Sequence, residues 1–212
     1  STCCTFQHFK NLMKTVFFIQ FCPIQGRKKF LDPAVLKSYM YQLLRALEHM
    51  HKRGVFHRDI KPENVLIQCN SSGDEVLKLA DLGSCRGIYS KPPYTEYIST
   101  RWYRSPECLL TDGYYGSEMD VWGSGCVFFE IMALYPLFPG TNEIDQLRKI
   151  HQILGSPTAS FLKKLRHISS SCLNVDFGRF KGAGIEQLLP QAKGLPSSLI
   201  CQMVKYVKKE VL

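Results

Sequence analysis

The sequence has no two cysteines at C-x-x-C spacing, and its nine cysteines, at 3, 4, 22, 69, 85, 108, 126, 172 and 201, are an odd number. A zinc site of paired thiolates and a disulfide framework are thereby excluded, which leaves reduced thiols. No apolar run is long enough to cross a membrane: Thr15 to Ile24 is interrupted by Gln20 and Pro23, well short of the ~20 residues that a span requires. Lys10 and Lys14 precede that run as they would a signal peptide, but no small-residue cleavage site follows it. Internal repeats and low-complexity tracts are absent. Glycine is scarce at the start, with only Gly26 and Gly54 in the first 54 residues.

What is present is a chain of 212 residues, 45% hydrophobic and 21% charged, enough to bury the core of one globular domain. Its formal charge of +9 would suit a polyanionic partner. The basic residues are dispersed, however, apart from short clusters at 27–29, 163–166 and 205–209, and among these clusters Tyr206 alone is aromatic, short of an aromatic-basic pattern. A nucleic-acid-binding or purely structural module driven by charge is therefore disfavoured.

Asp32-Pro33 offers a helix cap, and Val35, Leu36, Tyr39, Met40, Leu43, Leu44, Leu47 and Met50 recur at three- and four-residue spacing. This pattern predicts one amphipathic helix from Pro33 to His51, closed by Gly54. Val65–Ile67 and Val76–Ala80, separated by the turn-forming run 70–74, predict a small hairpin. Residues 84–106 carry almost no periodicity and read as a long loop. Asp120 to Leu134 is apolar on most faces and predicts a buried central helix. Glu143 to Leu154 predicts another amphipathic helix, stopping at Gly155-Ser156-Pro157. Beyond Thr158 the signal thins, and 195–212 predicts a terminal helix.

Chemistry concentrates in three stretches. His57-Arg58-Asp59-Ile60-Lys61-Pro62-Glu63-Asn64 places a carboxylate, an amine and a carboxamide on one short loop. Seventeen residues after Asn64 stands Asp81-Leu82-Gly83, behind a strand-like run. Tyr94-Thr95-Glu96-Tyr97 then leads to Thr100-Arg101-Trp102-Tyr103-Arg104-Ser105-Pro106-Glu107.

Together these motifs resemble the eukaryotic Ser/Thr protein kinase domain, within the group that contains the MAP kinases and cyclin-dependent kinases. Two positions depart from the usual pattern, Leu82 for Phe and Ser105 for Ala, both conservative in size or polarity. The resemblance implies that Asp59 accepts the proton of a protein hydroxyl, that Lys61 faces the transferring phosphate, and that Asn64 and Asp81 bind Mg2+. ATP would meet Lys61, Glu63, Asn64 and Asp81, with Leu66 as an apolar floor under adenine. Thr95 and Tyr97 would be regulatory phosphorylation sites whose phosphates dock on Arg58, Arg86, Arg101 and Arg104. His57, Gly83, Thr100, Glu107 and Asp120 would be structural, Gly83 as a backbone hinge, Thr100 beside Asp59 and Lys61, and Asp120 as the cap of its helix and a brace for the backbone of the 57–64 loop.

By the same resemblance the fold is mainly α, the large lobe of a kinase with a small β-hairpin at its catalytic loop and the small N-terminal β lobe missing. Residues 1–25 would be a divergent segment and 26–212 the lobe itself, ending before the closing helix whose arginine would pair with Glu107. No V-A-I-K-like strand or Gly-rich turn precedes His57, so phosphotransfer by this chain alone is not expected; the alternative is an inactive lobe that binds other proteins. Protein substrates and an upstream kinase are the implied partners, without nucleic acid or membrane. A monomer in the cytoplasm and nucleus is expected.

Overall fold

The computed structural model describes residues 21–23, 30–70, 73–94, 100–169, 177–190 and 194–206. The two expected phosphorylation sites, Thr95 and Tyr97, lie outside them, as do most of segment 1–25 and residues 207–212.

Helix α1 (Pro33–Lys52) starts where its cap dictates. Asp32 accepts the Ala34 N–H at 2.8 Å and Pro33 occupies the first turn, where its missing N–H has no role. Tyr39, Met40, Leu43, Leu47 and Met50 form its buried stripe, as their spacing predicts. Gly54 closes the helix at φ 74°, and a Cβ there would stand 2.8 Å from the Tyr89 ring, so only glycine fits.

The expected hairpin is present as β3 (Val65–Cys69) and β4 (Glu75–Leu79), antiparallel from Val65↔Leu79 to Cys69↔Glu75. Its alternation sends Val65, Ile67 and Leu77 into the core. It is not two-stranded, because β1 (Phe21–Pro23) pairs with the free edge of β3, Pro23 opposite Leu66. A second ribbon joins β2 (Val55–Phe56) to β5 (Arg86–Gly87) and brings the stretch after Asp81 beside the loop that starts at His57.

Residues 84–106 are less irregular than their composition suggests. Besides β5 they hold a 3-10 turn at Arg101–Tyr103 and the start of α2 (Pro106–Leu110). Such short pieces leave no period in the sequence.

Helix α3 (Glu118–Ala133) is buried on nearly every face and forms the centre of the molecule. Asp120 is not its cap: Ser117 holds that position, and the Asp120 carboxylate is used elsewhere. Gly123 lets the chain at Ile60 approach, since a Cβ would come within 3.0 Å of the Ile60 carbonyl oxygen. Gly125 does the same for the far end of α7 (Leu195–Met203), its Cβ position being 2.7 Å from Val204. Trp122 stacks on Phe138 at 5.6 Å and 20°.

Helix α4 (Glu143–Leu154) has its expected bounds, capped by the Asn142 side chain at Asp145 N, 2.9 Å. Helix α5 (Ala159–Ile168) follows, capped by Thr158 at Phe161 N, 3.2 Å. It had no clear sequence signal because it buries only Phe161 and Leu165. A single turn, α6 (Ile185–Leu188), precedes α7, which ends at Met203 instead of running to the terminus. No helix among the described residues is long and apolar enough to cross a membrane.

Candidate active site

The loop 57–64 hangs from Asp120. Its carboxylate, fully buried on α3, accepts the N–H of His57 through Oδ2 and the N–H of Arg58 through Oδ1, both at 2.8 Å. His51 Nε2, from the end of α1, donates to Oδ2 at 2.8 Å. A buried carboxylate is tolerated when donors surround it, and these three come from two separate segments.

His57 joins this loop to the β4 end. Its Nε2 lies 3.0 Å from the Ala80 carbonyl, and its Nδ1 lies 3.3 Å from Asp59 N. A carbonyl only accepts and an amide only donates, so the ring is the Nε2–H tautomer. Ala80 N also donates to the Asn64 carbonyl at 2.9 Å. Asp81, the next residue, is thus set beside Asn64 by backbone contacts that its own side chain does not make.

At the loop's centre, Lys61 Nζ meets Asp59 Oδ2 at 2.9 Å, and Asn64 Nδ2 donates to the same oxygen at 3.0 Å and to the Asp59 carbonyl at 2.8 Å. Asp59 is buried, and its second oxygen, Oδ1, is shielded with no hydrogen-bond donor among the described residues. A buried acceptor without a donor is rare in folded proteins and marks a position kept for something else. Both Asn64 bonds use its nitrogen, which leaves the acceptor Oδ1 outside them.

Asp81 is exposed and has φ 55°, the left-handed conformation expected of a short polar residue at a turn. Its Oδ1 accepts the Gly83 N–H at 3.3 Å. Gly83 itself lies in a 3-10 turn, not at positive φ, so it is the Asp81 backbone that carries the unusual conformation expected at the glycine. What glycine allows there is approach, a Cβ falling 3.1 Å from Asp81 Oδ1. One carboxylate and one carboxamide oxygen are hard donors, a set that suits Mg2+ sharing phosphate oxygens and water. No cluster of three or more His, Cys, Asp or Glu able to hold a metal occurs among the described residues.

Leu66 points away from the core that Val65 and Ile67 enter and is half-buried. Glu63 is electrostatically coupled to Glu130 and Tyr103. Tyr103 Oη donates to Glu130 Oε2 at 2.7 Å, and burial, reinforced by Glu63, raises the Glu130 carboxyl above its usual range against that hydrogen bond.

The four arginines expected to dock phosphate lie in different surroundings. Arg58 is buried, with Nε 2.6 Å from the Ser84 carbonyl and Nη1 2.9 Å from Tyr115 Oη. Arg104 is also buried and faces Glu143 at 3.5 Å. Arg86 and Arg101 are exposed, the former donating to the Cys85 carbonyl at 3.0 Å. Thr100 is exposed at the head of the Arg101–Tyr103 turn. Glu107 lines a small cavity with Tyr114, Glu118, Phe161 and Lys164. His51, Tyr115 and Glu130 had no motif to announce them, and Tyr94 and Tyr103 stand in motifs that give them no role; packing brings all five to the site.

A carboxylate, an amine and a carboxamide on a loop anchored to a buried aspartate, with a second aspartate at the end of the adjoining strand, fit a protein kinase domain. The chain belongs to the protein kinase family: the model of the protein kinase domain matches residues 5–182. It is 52% identical over 183 residues to the human MAPK/MAK/MRK overlapping kinase, a match covering 86% of this chain and 42% of that protein. To the human serine/threonine-protein kinase MAK it is 41% identical over 187 residues, and to the rat serine/threonine-protein kinase ICK 40%, each match covering 88% of this chain and 29% of the relative. The chain thus spans less than half the length of these relatives.

Proposed function

We propose that this chain carries the site at which a protein Ser/Thr kinase moves the γ-phosphoryl group of ATP onto protein hydroxyls. The observation that carries this reading is the Asp59 carboxylate, with Oδ2 held by Lys61 and Asn64 and the buried Oδ1 left without a donor. A substrate hydroxyl supplies that donor, and its proton passes to Oδ1 as its oxygen bonds to the γ-phosphorus and ADP departs. Mg2+, when bound, shields the phosphate charge and orients the transferring group. Asn64 Oδ1 and the Asp81 carboxylate would hold it, and Lys61 would divide its charge between Asp59 and the phosphate. Leu66 and Glu63 lie on the nucleotide side of the same assignment.

Regulation through Thr95 and Tyr97 belongs to this reading. It is supported by Tyr94, the residue before them, whose ring centroid lies 6.0 Å from the Arg58 guanidinium. An upstream kinase would be the activator, and substrates would be proteins of the cytoplasm and nucleus. The division into a segment 1–25 and a lobe 26–212 belongs to the same proposal.

A second reading is a lobe that binds other proteins without transferring phosphate. Calorimetry of MgATP with the chain separates the two. Saturable binding that Asp81→Asn removes, with phosphotransfer that Asp59→Asn lowers at least ~100-fold, supports the enzyme. No binding to the folded chain at millimolar MgATP leaves the protein-binding reading.

A further inference from the structure

The side chain of Arg58 is held where three segments meet. It is 2% exposed, and its Nε and Nη1 donate to Ser84 of the stretch after Asp81 and to the hydroxyl of Tyr115 in the connection between α2 and α3. These two acceptors use two of the five guanidinium N–H donors. Tyr115, also 2% exposed, packs its ring 5.3 Å from that of Tyr94, which in turn meets Phe56 of β2 edge-on at 5.5 Å. Tyr94 is fixed from the other side, its N–H donating to the Gly113 carbonyl at 2.8 Å. Gly113 has φ 91°, and a Cβ there would come within 2.1 Å of the Tyr94 carbonyl oxygen. The Tyr115 hydroxyl is therefore a fixed acceptor within a packed aromatic group. Burial pushes its pKa up to about 12 while Arg58 opposes the rise, so the hydroxyl stays neutral at physiological pH.

We propose that Tyr115 is a positioning residue: its hydroxyl fixes the Arg58 guanidinium against the Ser84 carbonyl, and so holds the neighbouring Asp59 in register with the Asp81 turn. Arg58 has φ 72°, a conformation that a non-glycine residue keeps only when its surroundings hold it. Asp120 holds its backbone, and Tyr115 holds its side chain. The inference rests on the proposed phosphotransfer, because the register matters for the chemistry that Asp59 performs. Tyr115 does not touch the reacting atoms. Its effect falls on the chemical step and leaves nucleotide affinity alone.

The test is Tyr115→Phe in the full chain, which keeps the ring and removes the acceptor, alongside Arg58→Lys and the double variant. Phosphorylation of a Ser/Thr peptide is measured by kcat and by KM for ATP. We expect Tyr115→Phe to lower kcat about tenfold with KM for ATP unchanged, and the double variant to be no slower than Arg58→Lys alone, the signature of one shared interaction. A wild-type kcat in Tyr115→Phe, or losses that multiply in the double variant, overturns the proposal. If the unsubstituted chain transfers no phosphate, the phosphotransfer reading fails separately. The Arg58 contact is then read by the NMR signal of its Nε–H, whose solvent exchange Tyr115→Phe should accelerate at least fivefold. Unchanged exchange sinks the assignment of Tyr115 whatever the chain's activity.

Discussion

The Asp120 carboxylate reaches the backbone N–H of Arg58 at 2.8 Å across 62 positions of chain, and Arg58 sits there at φ 72°. Left-handed backbone disfavours a non-glycine residue by ~1–2 kcal/mol, so the loop keeps this shape only while Asp120 holds it. The same carboxylate takes the His57 N–H and a His51 N–H, which makes it the hub between α1, α3 and the loop.

Asp120→Asn conserves shape but turns one acceptor into an NH2 group facing an N–H. At least one of the three donors then loses its acceptor. The variant should lose about 3 kcal/mol of stability in urea unfolding. A loss below ~0.5 kcal/mol, the range of ordinary surface substitutions, would show that the hub is not needed.

Gly123→Ala and Gly125→Ala separate the support of the loop from the packing of α7. At 123 the new methyl meets the Ile60 carbonyl oxygen at 3.0 Å, and at 125 it meets Val204 and Met203 side chains at 2.7 and 2.9 Å. Both should lose ~1–3 kcal/mol by overpacking, read from thermal unfolding. Only Gly123→Ala should also lower phosphotransfer, because only there does the backbone of the 57–64 loop move. Equal activity in the two variants would count against a rigid coupling of Ile60 to Asp59.

His151 sets a pH dependence of its own. The ring is buried on α4 with neither nitrogen hydrogen-bonded among the described residues, 4.9 Å from Phe177 and 6.3 Å from Phe180 and Tyr206. Burial lowers its pKa, so below about 6.5, the ordinary value, the unfolded chain takes up protons that the folded one refuses. Stability is then complete above that pH and declines as pH falls through the folded value. His151→Leu should remove this decline and gain ~1–3 kcal/mol from two unsatisfied nitrogens. Urea midpoints at pH 5 and 8 check it; a gap between the pH values as large as in the unsubstituted chain overturns it.

Tyr103→Phe should act with the opposite sign. Burial already raises the Glu130 carboxyl, and the Tyr103 hydroxyl counters that by donating to it. Without the hydroxyl the folded pKa rises further, so the stability lost to the substitution is small below the unfolded carboxylate pKa and grows as pH rises through the folded one. The difference in unfolding free energy between variant and wild type should be larger at pH 8 than at pH 4. A constant difference would mean that Tyr103 contributes packing alone.

Much of the fold was legible in the sequence because its signals are local. The Asp32-Pro33 cap and the stripe from Tyr39 to Met50 specify α1, and Asn142 with Gly155 brackets α4. The hairpin followed from alternation about a turn. Helix α5 was not legible, since two buried residues do not make a period, and β1 and β5 were not, since a strand of two or three residues exists only through its partner. Asp120 showed the limit most clearly: the resemblance implied a cap and a brace for the 57–64 loop, and nothing local says which N–H groups its two oxygens take.

By itself the sequence determined the candidate site residues, because Asp59, Lys61 and Asn64 lie within six positions on one loop and Asp81 follows at a hairpin's length. It determined the class of protein for the same reason. Only the tertiary structure decided which Asp59 oxygen is held and which is left open, which N–H groups of the loop Asp120 takes, and that Tyr115 and Tyr94 enclose Arg58. Those relations join residues tens of positions apart, and their energies come from burial, which makes each missing or satisfied hydrogen bond count and which no single stretch of sequence contains.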